Sequence, residues 1–272
     1  IQMKILLNIS SLLDSLRPFN DLGFVPTMGG IHEGHISLIK NSQKKCKKTI
    51  VSIFVNPTQF NDKNDFKKYP RRLIQDIKIL KKLKIDFLFI PNEREIYKKK
   101  NKIFKLSKND KILCAKYRKG HFEGVLNVMN RLLNLIKAKY IFMGEKDFQQ
   151  IFLIKKYLAK KYKIKIINCK TIRDKNKIAL STRNNLLSKK NYYKVLLITK
   201  FLFTAKRRIR FTKLELSSYL NQIIQILEKI YNIKIDYLEL RNEKNLKISN
   251  LKGKYRLFIA YYIDKIRLID NF

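Results

Sequence analysis

The residues GFVPTMGGIHEGHISLIK (23–40) decide how this chain folds. GFVPTM (23–28) is a short apolar run that reads as a buried strand ending in a turn. From Glu33 to about Lys47 the pattern reads as a helix. A strand passed through a Gly-rich turn into a helix is the start of a βαβ unit. The same turn gathers scarce residues. The chain has three histidines and eight glycines, and His32, His35, Gly29, Gly30 and Gly34 all fall in PTMGGIHEGH (26–35).

Outward from that turn, strand and helix keep alternating. TIVSIFV (49–55) is a continuous apolar, β-branched run of the kind found in buried parallel strands. The loop NPTQFNDKNDFKKYP (56–70) follows, and then Leu73, Ile74, Ile77 and Leu80 recur at helical spacing. DFLFIP (86–91) reads as a third strand, stopped by Pro91. An apolar helix near 124–137 comes next, then the strand YIFMG (140–144), a helix from about Asp147 to Lys160, and KIKIINC (163–169). This alternation predicts an α/β fold with a parallel sheet and helices on both faces. The polar stretch 92–111 reads as a mobile excursion. Beyond about residue 170 the pattern changes. Tyr192, Val195, Leu196, Thr199 and Phe203 fit one helix face, and Thr212 with Glu215 reads as a capping box for a second helix through Leu227. IKIDYLEL (233–240), RLFIAYYI (256–263) and KIRLID (265–270) look like an antiparallel set. The expected division is a domain over 1–171 and a smaller α+β domain over 172–272. No internal repeats are evident.

At 272 residues with 45% hydrophobic content, the chain can bury a sizeable core. No apolar run reaches the ~18–20 residues of a membrane span, and the first residues do not read as a signal peptide. Cys46, Cys114 and Cys169 form no C-x-x-C pair, which suits a reducing cytoplasm rather than a disulfide framework. The formal charge of +40 raises the question of nucleic acid or an anionic membrane. The positives are mostly Lys and spread along the chain, without an aromatic-rich RNA-binding motif. That distribution favours lysine-rich compositional bias over a dedicated nucleic-acid surface, and it still favours anionic substrates.

A Gly-rich turn between strand and helix lets backbone N–H groups approach a phosphate, and the helix N-terminus adds positive potential. Two imidazoles three residues apart can face the same anion. The stretch is neither G-x-G-x-x-G nor a P-loop, and His32 and His35 are one residue too close for H-E-x-x-H. The plainer reading makes both histidines helix caps. Two further polar clusters sit at strand ends. In GEKDFQQ (144–150), Lys146 can reach a phosphate and Asp147 can cap the helix or face a nucleotide. ALSTRN (179–184) brings two hydroxyls and an Arg together, a set that suits a polyphosphate or simply caps a turn.

Together these segments resemble the pantoate–β-alanine ligase family. The matching pieces are PTMGGIHEGHISLI (26–39), VSIFVNPTQF (51–60), YPR (69–71), HFEGV (121–125), MGEKDFQQ (143–150), TIRD…IALSTRN (171–184) and RLIDN (267–271). The H-x-G-H element alone marks a wider nucleotidyltransferase superfamily; NPTQF and GEKDFQQ are more specific. The resemblance implies a Rossmann-like N-terminal domain binding ATP and pantoate, a smaller C-terminal lid domain and a homodimer. It implies two-step amide formation: pantoate and ATP give pantoyl adenylate and pyrophosphate, then β-alanine displaces AMP. Mg²⁺ accompanies ATP, with no protein metal ligand assigned. Met28, Gly29, Gly30, Ile31, His32, Glu33, Gly34 and His35 are implied at ATP, with His35 as proton donor and His32 the second imidazole on the phosphates. Gly144, Glu145, Lys146 and Asp147 are implied at the nucleotide, Lys146 also reaching pantoate. Ile172, Leu180, Ser181, Thr182 and Arg183 are implied to complete the ATP site. Gln59 and Gln150 are implied for pantoate, and Gln59 also for β-alanine. Asn56 and His121 match positions near the site.

The sequence departs from the family pattern in places. Thr182 stands where Ser is usual, Met143 where Phe is usual and Gly30 where Ala is common. Asn176-Lys177 replaces an Asp-Gly turn, and since Lys is poor at positive φ this loop is expected to take another shape. Two rival readings are another H-x-G-H nucleotidyltransferase and a basic RNA-binding protein on a decayed enzyme fold. The first should show a cationic pocket where Gln59 and Gln150 stand. The second should lack the intact set of His32, His35, Gln59, Lys146, Gln150, Ser181 and Arg183.

Overall fold

The computed structural model describes residues 2–61, 63–97, 104–209, 213–249 and 251–272. It divides into two compact units, Ile1–Thr171 and Ile172–Phe272.

The first unit begins with β1 (Lys4–Leu6) and α1 (Ile9–Leu16), then β2 (Leu22–Thr27), α2 (Glu33–Lys45) and β3 (Lys48–Ile53). A 3-10 turn at Pro57–Gln59 leads to α3 (Lys63–Lys68), α4 (Leu73–Lys82), β4 (Phe87–Phe89) and α5 (Glu93–Tyr97). Helices α6 (Cys114–Tyr117) and α7 (His121–Ile136) precede β5 (Tyr140–Gly144). A 3-10 turn at Glu145–Asp147, α8 (Phe148–Ile154), a π-helical turn at Lys155–Ala159, α9 (Lys160–Tyr162) and β6 (Lys165–Cys169) complete the unit. The six strands pair in the order β1-β4-β3-β2-β5-β6, every pair parallel. Side chains alternate between sheet faces, so Phe24 and Val25 on β2 point opposite ways, and both are fully buried. Val25, Ile39, Val51, Leu80, Leu88 and Phe142 share one cluster. Each such apolar side chain contributes ~1.5–3 kcal/mol on full burial.

Several local expectations change. β1 has three residues, too few to show a period, whereas α1 does carry a helical signal, with Asn8 as its cap and Ile9, Leu12, Leu13 and Leu16 at helical spacing. The helix expected from Asp147 to Lys160 is a composite with a π-helical turn inside it. On α4, Leu73 and Ile74 are exposed, and Asp76 and Leu80 are the buried residues. Residues 98–103 of the expected excursion lie outside the described residues. Beyond them the chain is anchored, because the buried Asp110 accepts from Ser107 Oγ, Lys156 Nζ and Tyr157 Oη at 2.6–2.8 Å.

The second unit contains α10 (Lys189–Arg208), α11 (Lys213–Tyr231), β7 (Lys234–Asn242), β8 (Tyr255–Ile263) and β9 (Ile266–Asn271). The strands form an antiparallel sheet in sequence order. Its core includes Ile198, Leu202, Ile223, Leu227, Leu257 and Ile259. The inner face of α10 is thus set by Val195, Ile198, Thr199, Leu202 and Ala205, while Tyr192, Leu196 and Phe203 are only partly buried. Thr212 of the expected capping box lies outside the described residues. Among the described residues no helix is long and apolar enough to cross a membrane.

Candidate active site

β2 lies between β3 and β5. Chain order runs from β2 through β3 to β4 on one side and reaches β5 and β6 on the other. In open parallel sheets a ligand crevice forms at such a reversal, outside the carboxyl ends of the strands. Three segments leave that edge: 28–32 after β2, 54–60 after β3 and 145–147 after β5.

The turn after β2 is held almost entirely by its own neighbourhood. Thr27 Oγ1 donates to the Ser52 carbonyl at 2.7 Å and accepts from Gly29 N–H at 3.2 Å. Gly29 and Gly30 take φ of +81° and +63°, a conformation that costs a glycine little. The next two N–H groups, on Gly30 and Ile31, donate to Asp76 Oδ2 and Oδ1, each at 2.8 Å. His32 is the N-cap of α2, its Nδ1 accepting from Gly34 N–H at 3.0 Å. His35 Nδ1 in turn accepts from His32 N–H at 3.4 Å. A Cβ at position 34 would lie 2.7 Å from His32 Cε1, so only glycine lets the ring rest there. The capping reading and the site reading of these histidines therefore describe one arrangement. Each Nδ1 is an acceptor from backbone, which leaves each ring proton on Nε2. The ring centroids are 4.1 Å apart.

This corrects one expectation. The N–H groups of Gly30 and Ile31 are committed to Asp76, so the glycine turn is not an open backbone cradle for phosphate. The donors it presents are imidazoles. Burial, aided by Lys146, lowers the His32 pKa from 6.5 to about 4, with Asp147 opposing. Burial, with His32 and Lys146, lowers that of His35 to about 3. Both are neutral hydrogen-bond donors near pH 7. An arriving polyphosphate would favour their protonated forms.

The segment after β3 centres on Asn56, which is 1% exposed. Its Oδ1 accepts from Thr58 Oγ1 at 2.9 Å and Tyr97 Oη at 2.6 Å. Its Nδ2 donates to the Gly124 carbonyl at 3.2 Å and to Gln59 Oε1 at 3.1 Å. The Gln59 oxygen is thereby occupied, and its Nε2 lies 2.8 Å from Met28 Sδ. The Gln59 carbonyl accepts from His121 Nδ1 at 2.7 Å, and Arg118 Nη1 meets His121 Nε2 at 2.9 Å. Since a carbonyl only accepts and a guanidinium only donates, His121 is the Nδ1–H tautomer. Asn56 and His121 thus support Gln59 directly.

After β5, Gly144 closes the strand and Glu145–Asp147 form the 3-10 turn. Asp147 stands at the N-cap of α8 without a side-chain cap bond, so of its two expected roles capping is not the one adopted. Lys146 Nζ is 3.8 Å from Asp147 Oδ1. Gln150 sits half-buried on the first turn of α8, while the adjacent Gln149 is buried and donates to the Ile112 carbonyl at 2.7 Å.

Within the second unit, Leu180 N–H donates to the Ile172 carbonyl at 3.1 Å. Ser181 Oγ accepts from Arg183 N–H at 3.3 Å and caps the 3-10 turn Thr182–Leu186, with Thr182 buried. The preceding loop corrects a second expectation, because Lys177 does take positive φ, +64°. Asp174 Oδ1 accepts from Asn176 N–H and Ile178 N–H at 2.8 and 3.0 Å, and Arg173 Nη1 donates to the Lys177 carbonyl at 2.9 Å. These bonds offset the strain that Lys meets there.

Sequence reading missed Asp76 and Tyr97. For Asp76 a signal existed. It lies three residues after Leu73 and four before Leu80, a carboxylate in line with helical apolar spacing, and such a residue needs a partner. Among the described residues no group of three or more His, Cys, Asp and Glu could hold a metal ion.

A family model described as pantoate-beta-alanine ligase matches residues 4–272. A pantothenate synthetase of Leptospira interrogans is 40% identical over 255 residues, 92% of this chain and 89% of the relative. A pantothenate synthetase of Francisella tularensis subsp. novicida is 40% identical over 270 residues, 97% and 94% of the two chains. The crystal structure of a Francisella tularensis pantoate-beta-alanine ligase, complexed with beta-gamma ATP and beta-alanine, superposes with a TM-score of 0.84 at 39% identity, covering 99% of this chain and 97% of that one. The Thermus thermophilus enzyme superposes with a TM-score of 0.90 at 27% identity, covering 99% of both.

Proposed function

The chain belongs to the pantoate-beta-alanine ligase family, a family of enzymes, and on that premise we propose that it joins pantoate to β-alanine through a pantoyl adenylate. A carboxylate is a poor electrophile towards an amine because its leaving group would be oxide. In the first step the pantoate carboxylate oxygen bonds to the α-phosphorus of ATP, and pyrophosphate leaves with its bonding pair. In the second the β-alanine amine, having lost its ammonium proton, attacks the acyl carbon. AMP leaves and the second amine proton is released to solvent.

The first step moves charge among phosphate oxygens, so catalysis rests on positioning and fixed donors. His32 and His35 supply two neighbouring Nε2–H donors and Lys146 supplies a positive charge. His35 acts as proton donor once phosphate raises its pKa. Gln59 offers amide N–H to the pantoate carboxylate, its oxygen being held by Asn56, and Gln150 offers the second amide. Met28 to His35 and Gly144 to Asp147 bind ATP from the first unit. Ile172 and Leu180 to Arg183 complete the ATP site from the second, which acts as a lid domain, with Ser181, Thr182 and Arg183 on the β/γ-phosphates. Mg²⁺ would accompany ATP and would offset the negative charge of its phosphates. The enzyme is a cytoplasmic homodimer in this reading, which needs neither membrane nor nucleic acid.

The observation that carries the proposal is the fixed pair of Nε2–H imidazoles beside Lys146 at the sheet's reversal point. Uncharged Gln59 argues against a second phosphate on the acyl substrate. The test is pyrophosphate release from ATP with pantoate alone, then with β-alanine added, following AMP and pantothenate. Release that requires pantoate and completes with β-alanine supports both half-reactions. A folded protein that binds ATP without turnover removes the proposal and directs attention to another acid or to RNA.

A further inference from the structure

We propose that Asp76 is a positioning residue for the two histidines, fixing the turn that carries them by gripping its backbone. The side chain comes from α4, 46 residues along the chain from Gly30, and is 2% exposed. Its two oxygens take one N–H each from successive residues, Gly30 and Ile31, at 2.8 Å. Gly29 is close as well, since a Cβ there would be 3.0 Å from Asp76 Oδ2. His32 follows immediately as the N-cap of α2, and His35 is hydrogen-bonded to the His32 backbone. The chain of contacts therefore runs from carboxylate to turn, from turn to His32, and from His32 to His35. Charge-assisted bonds from a buried carboxylate are short and strong, which suits a clamp. Only a carboxylate presents two acceptors in this geometry. Asn would offer one oxygen and turn an NH₂ towards a second donor.

The inference rests on the ligase reading for its kinetic consequence but not for its structural one. With Asp76→Asn, adenylation measured as pantoate-dependent pyrophosphate release is expected to fall ~10–100-fold, as misplacement of reacting groups by about 1 Å does. Reaction of β-alanine with preformed pantoyl adenylate should keep its KM. The structural readout uses the three histidines of the chain, which a nitrogen-detected imidazole spectrum separates. Without any substrate, wild-type His32 and His35 should show the Nε2–H pattern and His121 the Nδ1–H pattern. Asp76→Asn should shift the first two and leave His121 unchanged. Unchanged His32 and His35 spectra would overturn the proposal.

Should that variant not fold, the wild-type amides decide. Slow exchange of Gly30 and Ile31 N–H supports the clamp; fast exchange overturns it. A chain that is not this ligase fails the kinetic arm already as wild type, while the spectra still report on the clamp.

Discussion

The turn after β2 and the turn after β5 leave adjacent parallel strands, and both run into helices. They are built differently. In the first, the N–H groups of Gly29, Gly30, Ile31, His32 and Gly34 all find side-chain acceptors within the protein. In the second, the N-cap Asp147 makes no cap bond, and its side chain is 49% exposed. One turn holds two uncharged donors rigidly. The other offers Lys146 on a long flexible stem. In the proposed adenylation, a transition state that spreads charge over phosphate oxygens would use both, the fixed donors and the adaptable cation.

The difference can be broken in order of expected effect. His35→Ala should lower adenylation most, by ~10²–10³-fold, as loss of one preorganised donor does, with the far-ultraviolet circular dichroism spectrum retained. Near-normal turnover by a folded variant would remove His35 from the chemistry. Lys146→Met should cost less, on the order of 10–10²-fold, with KM for ATP and pantoate rising alongside, because a flexible cation acts on ground and transition states alike. An unchanged KM for both would assign it to the transition state only and merge the two turns into one role.

A third comparison uses pH. The imidazole pKa values in the folded chain, about 4 for His32 and about 3 for His35, lie below the ordinary 6.5. Between those values the unfolded chain binds more protons, so stability is full above pH 6.5 and declines as pH falls through that window. The urea midpoint of wild type should therefore drop between pH 7 and 4.5 more steeply than that of a His32→Gln, His35→Gln double variant. Parallel curves would mean that the pair is solvated. The smallest effect is expected at Asp147→Ala. With no cap bond to lose, its stability change should stay within ~0.5 kcal/mol, read by urea titration. A loss of ~1 kcal/mol or more would show that Asp147 caps α8 after all.

Some of this was legible in the chain. The alternation of β-branched runs with helical spacing gave the strands β2 to β6 and the change of pattern near residue 170, because side-chain period is a local property. The short β1 and the π-helical turn were not legible, since three residues carry no period and an inserted residue leaves no compositional mark. The clusters PTMGGIHEGH, NPTQF and GEKDFQQ were legible as chemistry by residue type. What each does to its neighbours was not. That Gln59 turns its amide nitrogen towards Met28 depends on Asn56, itself fixed by Tyr97 and Gly124 from distant segments.

Periodicity, glycine placement and the family's motifs were enough to draw strands β2 to β6 and to name the residue types gathered at the edge of the sheet. The tertiary structure decided which atoms those side chains present. Strand order brings α4 under the glycine turn, so Asp76 takes the N–H groups that residue type alone reserves for phosphate. Backbone donors then hold both imidazoles by Nδ1 and leave each ring proton on Nε2. A backbone N–H carries a single proton, and which acceptor takes it is set here by packing between segments far apart in the chain.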